Sequence, residues 1–76
     1  MYKGSEVFMS KGILTKREKE VFLLLINNHT TKEIADILNI SEKTIRNHIS
    51  NAMQKLGVKG RAQAVVELIR LKEITL

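Results

Sequence analysis

Apolar residues recur along this chain at intervals of three and four positions, which is the spacing of one face of an α-helix. Four segments carry this pattern, and none alternates apolar with polar residues as a half-buried strand would. The sequence therefore predicts an all-α domain of four helices. The apolar positions in the first three segments are 21–26, Ile34, Ala35, Ile37, Leu38, Ile45, Ile49, Ala52, Met53 and Leu56.

Capping residues mark where the first three helices begin. Thr15 stands three residues before Glu18, and Thr30 stands three residues before Glu33. Each pair can form a capping box, in which each side chain binds the other residue's backbone N–H. Ser41 is the predicted N-cap of the third helix.

The helix ends are marked by residues that tolerate the left-handed backbone conformation. Asn27-Asn28, Asn39 and Gly57 follow the first three apolar segments. The fourth helix is predicted to run from about Arg61 to Lys72.

The third helix has an apolar face and a face of hydrogen-bond donors. Apart from Glu42 in the first turn, no carboxylate lies among the donors. One helix thus offers a dry side for packing and a polar side for binding. The donor-face residues are Lys43, Thr44, Arg46, Asn47, Ser50, Asn51 and Gln54.

The fourth helix has two apolar stripes on nearly opposite sides, although packing on a small core needs only one. The second stripe must therefore be covered, either by the N-terminal segment or by a second copy of the chain. The stripes are Ala62, Val65, Val66 and Ile69 on one side and Ala64, Leu68 and Leu71 on the other.

Composition narrows the class of protein. The chain has 76 residues, a net charge of +5 and no Cys, which predicts one domain without disulfides, a thiolate nucleophile or a Cys-based zinc site. The longest apolar run, Val21–Ile26, is too short to span a bilayer. His29 and His48 are too far apart in sequence to indicate a metal site. No catalytic constellation is present, so we expect a cytoplasmic non-enzyme without metal or cofactor.

The positive charge is concentrated around the third helix. Residues 41–61 hold five basic residues against one acidic residue, a net charge of +4. Such a run is often only a solvated surface. Here it coincides with a donor face and a very short connection, Asn39-Ile40, between the second and third helices. That combination is typical of a helix-turn-helix, whose second helix enters the DNA major groove.

Guanine and adenine edges in the major groove are read by Arg, Lys, Asn, Gln or Ser. Arg46, Asn47 and Ser50 are therefore the predicted base contacts. The starts of the second and third helices offer N–H groups suited to phosphate, and basic residues beyond the third helix can hold the backbone. The predicted backbone contacts are Thr31, Lys32, Lys43, Thr44, Asn51, Lys59 and Arg61.

Two other readings stay open at this point. The fourth helix could dock on another protein, with the basic charge incidental and no specific DNA binding. A basic surface for RNA or anionic membranes is less favoured, because only Tyr2, Phe8 and Phe22 are aromatic and both kinds of binding rely on aromatic residues.

Several short motifs at fixed distances resemble the LuxR-type DNA-binding domain. They are residues 14–21 (LTKREKEV), 31–35 (TKEIA), 40–48 (ISEKTIRNH) and 56–58 (LGV). The resemblance covers residues 14 to about 74. One departure is Asn28, where the family usually has Gly, and Asn can adopt the same left-handed conformation.

The resemblance implies a four-helix domain with the third helix as the recognition helix. It also implies a homodimer through the fourth helix. The sequence does not settle which of the two stripes meets the partner, and we expect Val66 and Ile69 to be the contacts. Expected partners are double-stranded DNA and RNA polymerase, with no membrane. We expect residues 1–12 to be a flexible tail and residues 13–76 to be the DNA-binding domain.

Residues 41–68 are especially similar to a stand-alone member of this family. That member controls late sporulation genes, including spore-coat genes, in the mother cell. The resemblance therefore implies a regulator that acts at the nucleoid of the mother cell.

Overall fold

A computed structural model describes residues 13–74, which form four helices and no strand. The helices are α1 (Lys16–Ile26), α2 (Thr31–Leu38), α3 (Glu42–Leu56) and α4 (Arg61–Arg70). The predicted all-α, four-helix architecture is confirmed. The expected tail at residues 1–12 lies outside the described residues.

The predicted caps are formed. The Glu18 N–H donates to Thr15 Oγ1 at 3.1 Å, and the Thr15 N–H donates to Glu18 Oε1 at 2.9 Å. Thr30 and Glu33 make the same two bonds at the start of α2. These reciprocal bonds satisfy backbone donors that a helix start otherwise leaves without partners.

The helix ends also follow the sequence, with one difference. Asn28, Asn39 and Gly57 have φ values of 69°, 58° and 70°, the left-handed conformation expected of them. The fourth helix ends at Arg70 rather than Lys72. Lys72 itself has a φ of 61°, so the chain turns there and the predicted end was two residues too late.

The core is built around α3, which packs against each of the other three helices. Its apolar face is buried as predicted at Ile45, Ile49 and Ala52, whereas Met53 and Leu56 are only partly buried. The other buried apolar residues are Leu14, Val21, Phe22, Ile34, Ala35, Ala64, Leu68 and Ile74.

Ile37 differs from the sequence-based expectation. It was placed with Ile34 and Ala35 on the apolar face of α2, but its exposure is 52%. A helix of eight residues makes only about two turns, and its contact with the core is made by Ile34, Ala35 and the partly buried Leu38. None of the helices in residues 13–74 combines the length and apolar character needed to cross a membrane.

A partly buried ion pair joins α1 to α3. Lys55 Nζ lies 2.8 Å from Glu18 Oε1, and the Glu18 side chain is 4% exposed. Burial alone would raise the pKa of Glu18, but the bonds from Lys55 and from the Thr15 N–H outweigh it and lower that pKa below its ordinary value. The carboxylate therefore caps α1 and holds α3 with the same oxygen.

The Glu18→Gln substitution should isolate the ion pair, because Gln can still complete the capping box. We expect the free energy of unfolding at pH 7 to fall by about 1 kcal/mol, a modest loss because Lys55 is more than one third exposed. A lowered folded-state pKa stabilises the protein fully above the ordinary value of 4.5. That contribution is lost as the pH falls through the folded-state value.

Urea unfolding of both proteins between pH 7 and pH 3 measures this difference. The two unfolding free energies should converge at acidic pH. The control is Glu20→Gln, since Glu20 pairs with Arg17 at the surface and its loss should change stability by less than about 0.5 kcal/mol. A gap that stays constant with pH would contradict the ionic origin.

The two glycines that flank the α3–α4 connection should respond differently to Ala. Gly57 has a φ of +70°, so Gly57→Ala should cost about 1 kcal/mol through backbone strain alone, because no heavy atom lies within 4 Å of the added Cβ. Gly60 has a φ of −134°, which any residue adopts, so Gly60→Ala is the matched control and should be nearly neutral. Thermal unfolding of both variants checks this difference, and equal losses would contradict it.

Candidate nucleic-acid interface

The exposed side of α3 is the donor-rich surface that the sequence predicts. Its 15 residues span about 22 Å at 1.5 Å per residue. The Ser41 side chain fixes the start of the helix by accepting from the Thr44 N–H at 3.1 Å. Of the donor-face residues, only Thr44 is partly buried. The others are exposed, and they are Lys43, Arg46, Asn47, Ser50, Asn51 and Gln54.

The donor residues spread around the helix instead of forming a single line. Successive residues turn by about 100°, so Asn47 and Gln54 lie opposite the buried Ile45. Arg46 lies on the side of α3 that faces the start of α2, where it donates a hydrogen bond to the side chain of Glu42. The predicted base contacts therefore cover a broad sector of α3.

The connection between α2 and α3 sets the angle of the recognition helix. Asn39 adopts the left-handed conformation, and the Ile40 N–H donates to the Ala35 carbonyl at 3.0 Å. Ser41 then caps α3 directly. Three residues thus complete the turn of a helix-turn-helix, as the sequence predicts.

Glu42 links the two helices of this motif. Its Oε2 accepts from Thr31 Oγ1, at the start of α2, at 2.9 Å. The same oxygen accepts from Arg46 Nη2, one turn along α3, at 3.0 Å. Sequence reasoning missed this role, although the i, i+4 spacing of Glu42 and Arg46 could have indicated their pairing. Nothing in the sequence predicts the bond from Thr31.

Two of the five basic side chains in residues 41–61 are paired with carboxylates. Lys55 pairs with Glu18 on α1, and Arg46 pairs with Glu42. Lys43, Lys59 and Arg61 are exposed, at the start of α3 and beyond its end. Because Glu42 is already counted in the net charge of +4, only the pairing of Lys55 with Glu18 lowers the charge that this segment presents to a polyanion.

The predicted backbone contacts fall into two groups at opposite ends of α3. Lys43 and Thr44 lie in its first turn, and the bond between Thr31 and Glu42 brings the start of α2, with exposed Lys32, to the same end. Lys59 and Arg61 lie past the other end, on the connection to α4 and at its first residue. Asn51 lies between the groups.

One stripe of α4 faces the core. The other is mostly exposed within the described residues, although its Val65 packs partly against the core. Ala64 and Leu68 are fully buried, whereas Val66 is 62% and Ile69 is 36% exposed. A groove of about 550 Å³ lies beside the outer stripe, where the α3–α4 connection meets α4. The stripe predicted to meet a partner is thus the accessible one.

The histidines serve local roles. His29 Nδ1 lies 3.5 Å from Glu33 Oε1, and the N–H of Thr30 together with His29 lowers the pKa of Glu33. His48 is partly buried and acts electrostatically on Glu18. Within residues 13–74, no group of three His, Cys, Asp or Glu side chains could hold a metal ion.

Comparisons with known proteins agree with this geometry. The family model described as "Bacterial regulatory proteins, luxR family" matches residues 12–68. The spore germination protein GerE of Bacillus subtilis is 72% identical over 69 residues, which cover 91% of this chain and 93% of that protein. The transcriptional regulatory protein DegU of Brevibacillus brevis is 50% identical over 76% of this chain, which spans 25% of DegU.

A solved structure of the transcription factor GerE superimposes with a TM-score of 0.81. It is 59% identical in sequence, and the match covers 83% of this chain and 94% of that one. Proteins of this kind regulate transcription by binding DNA and are not enzymes. With its helix-turn-helix, its exposed donor face and these matches, the chain belongs to the luxR family of bacterial regulatory proteins.

Proposed function

We propose that this protein is a sequence-specific transcription regulator that binds DNA as a homodimer with α3 in the major groove. The observation that carries the proposal is the exposed donor face of a helix whose opposite face is buried by three other helices. Such a helix can enter the groove without any rearrangement of the core. A major groove about 12 Å wide admits one α-helix with its side chains.

Within this arrangement, Arg46, Asn47 and Ser50 read base edges. Arg supplies the bidentate contact to guanine, and Asn the contact to adenine. The remaining predicted residues bind phosphates and set the register of the protein on the duplex. They are Thr31, Lys32, Lys43, Thr44, Asn51, Lys59 and Arg61.

The homodimer forms through the outer stripe of α4. Val66 and Ile69 are two of only four large apolar residues that are exposed among the described residues. Burial of apolar area stabilises an interface by roughly 25 cal/mol per Å² before the costs of association. Two copies related by a two-fold axis would bring the same stripe together from both sides.

The target genes are proposed to be late sporulation genes, including spore-coat genes, in the mother cell. This assignment rests on the similarity to GerE of Bacillus subtilis, which is named a spore germination protein. The protein would act at the nucleoid in the cytoplasm, apart from membranes. RNA polymerase is a further proposed partner.

The base-reading role is tested by comparing Arg46→Ala with Lys43→Ala. A preferred site is first selected from a random duplex pool, and binding is then measured on that site and on random DNA over a range of salt. Arg46→Ala should cost about 1–3 kcal/mol on the site and relax preference at one base pair. Lys43→Ala should weaken binding to both duplexes and reduce the salt slope by about one unit.

Equal losses on both duplexes for Arg46→Ala would contradict its role in reading bases. If the unmodified protein fails to bind random duplex even at low salt, a protein-interaction module would replace the DNA-binding proposal. Lys16→Ala on α1, away from the proposed interface, is the control for the loss of one positive charge.

The dimer is tested by Val66→Glu, which places a charge in the proposed interface. Because an unpaired buried carboxylate is costly, this variant should sediment as a monomer at concentrations where the unmodified protein is a dimer. Ile69→Glu should act in the same direction.

Leu23→Glu is the matched control, because Leu23 lies on α1 and is 39% exposed, close to the 36% of Ile69. This variant should retain the dimer. A monomeric unmodified protein at high concentration, or dissociation by Leu23→Glu to the same degree, would reject the α4 interface.

A further inference from the structure

Glu42 is the one carboxylate among the donors of the recognition surface, where it faces the polyanion that the domain is proposed to bind. A negative charge there weakens DNA binding by repulsion. Its presence is therefore explained only if the carboxylate contributes to binding in another way. The start of a helix favours an acidic residue, but that effect does not require the carboxylate to bond both a residue of α2 and a residue one turn along α3.

The contacts of Glu42 point to such a purpose. Its Oε2 is fixed by the partly buried hydroxyl of Thr31 at 2.9 Å. The same atom receives Arg46 Nη2 at 3.0 Å, in the favourable order with the acid four residues before the base. The carboxylate is therefore anchored to α2 and in turn restrains the guanidinium on α3.

The restraint leaves Arg46 able to read a base. A guanidinium has five N–H donors in a planar fork, and the contact to Glu42 involves one terminal nitrogen. The side chain remains largely exposed, at 59%. Donors remain for the two acceptors that guanine presents in the major groove.

We propose that Glu42 is a positioning residue for sequence recognition: anchored by Thr31, it presets the Arg46 guanidinium for a guanine edge and keeps it from phosphates. The inference rests on the proposed function and deepens it. A mobile arginine must be ordered on binding, at a cost that preorganisation removes. An unrestrained arginine can also donate its hydrogen bonds to any phosphate, which increases the affinity for DNA of random sequence.

The test is Glu42→Gln, with dissociation constants measured on the selected site and on random duplex at one salt concentration. Gln keeps one acceptor oxygen but lacks the charge that holds the guanidinium, so binding to the site should weaken about two- to tenfold, up to the cost of ordering one long side chain. Binding to random duplex should stay constant or become tighter, because a negative charge is removed. The ratio of the two affinities should therefore fall.

A double-mutant cycle separates positioning from a structural role. In an Arg46→Ala background, Glu42→Gln should cause no further loss of the affinity ratio, because the residue through which it acts is gone. Circular dichroism checks folding. If Glu42→Gln does not fold, Glu42→Asp retains the charge at the helix start and should show a smaller loss of the ratio.

Glu20→Gln is the matched control, since Glu20 is as exposed as Glu42 (39% against 38%) and also pairs with an arginine. It lies on α1 and should leave the affinity ratio unchanged. Three outcomes would overturn the inference: an affinity ratio that Glu42→Gln leaves unchanged, a ratio that Glu42→Gln raises, or a loss of the ratio that persists in the absence of Arg46. An unmodified protein that binds both duplexes equally would instead overturn the proposed function.

Discussion

Recognition by this domain depends on the burial of one face of α3, because a helix can present side chains to DNA only if its backbone is fixed. Ile45 and Ala52 are fully buried, and burying one large aliphatic side chain stabilises a fold by roughly 1.5–3 kcal/mol. Three helices supply that contact. The opposite face of α3 can therefore be polar along its whole length, because the core does not need it for packing.

The sequence predicts the parts of this fold that are determined locally. The capping boxes at Thr15 and Thr30 and the left-handed positions Asn39 and Gly57 are confirmed, because each depends on residues within one turn. The prediction was wrong for Ile37, which is exposed, and for the end of α4. Periodicity describes a single helix, so it does not include the packing of neighbouring helices that leaves Ile37 exposed, and it does not indicate the left-handed turn at Lys72 that follows α4.

The electrostatics of the interface were the least predictable part for a related reason. A count of charges along residues 41–61 treats Lys55 and Lys59 alike, yet the fold directs Lys55 to the buried Glu18. Likewise, Thr31 and Glu42 are eleven residues apart and meet only because the α2–α3 turn brings them together. The residue types predicted a polyanion-binding surface, but only tertiary structure shows which charges are already paired.

The pairing of Arg46 with Glu42 bears on how so small a domain could discriminate between sequences. A phosphate attracts any cation at the surface, so mobile basic side chains increase affinity for all DNA equally. Discrimination requires donors whose positions are set before binding, because only then does a mismatched edge leave them without a partner. A 15-residue helix offers few such donors. A carboxylate that fixes one of these donors weakens the overall attraction to DNA. It increases, however, the difference in binding free energy between the right and the wrong base.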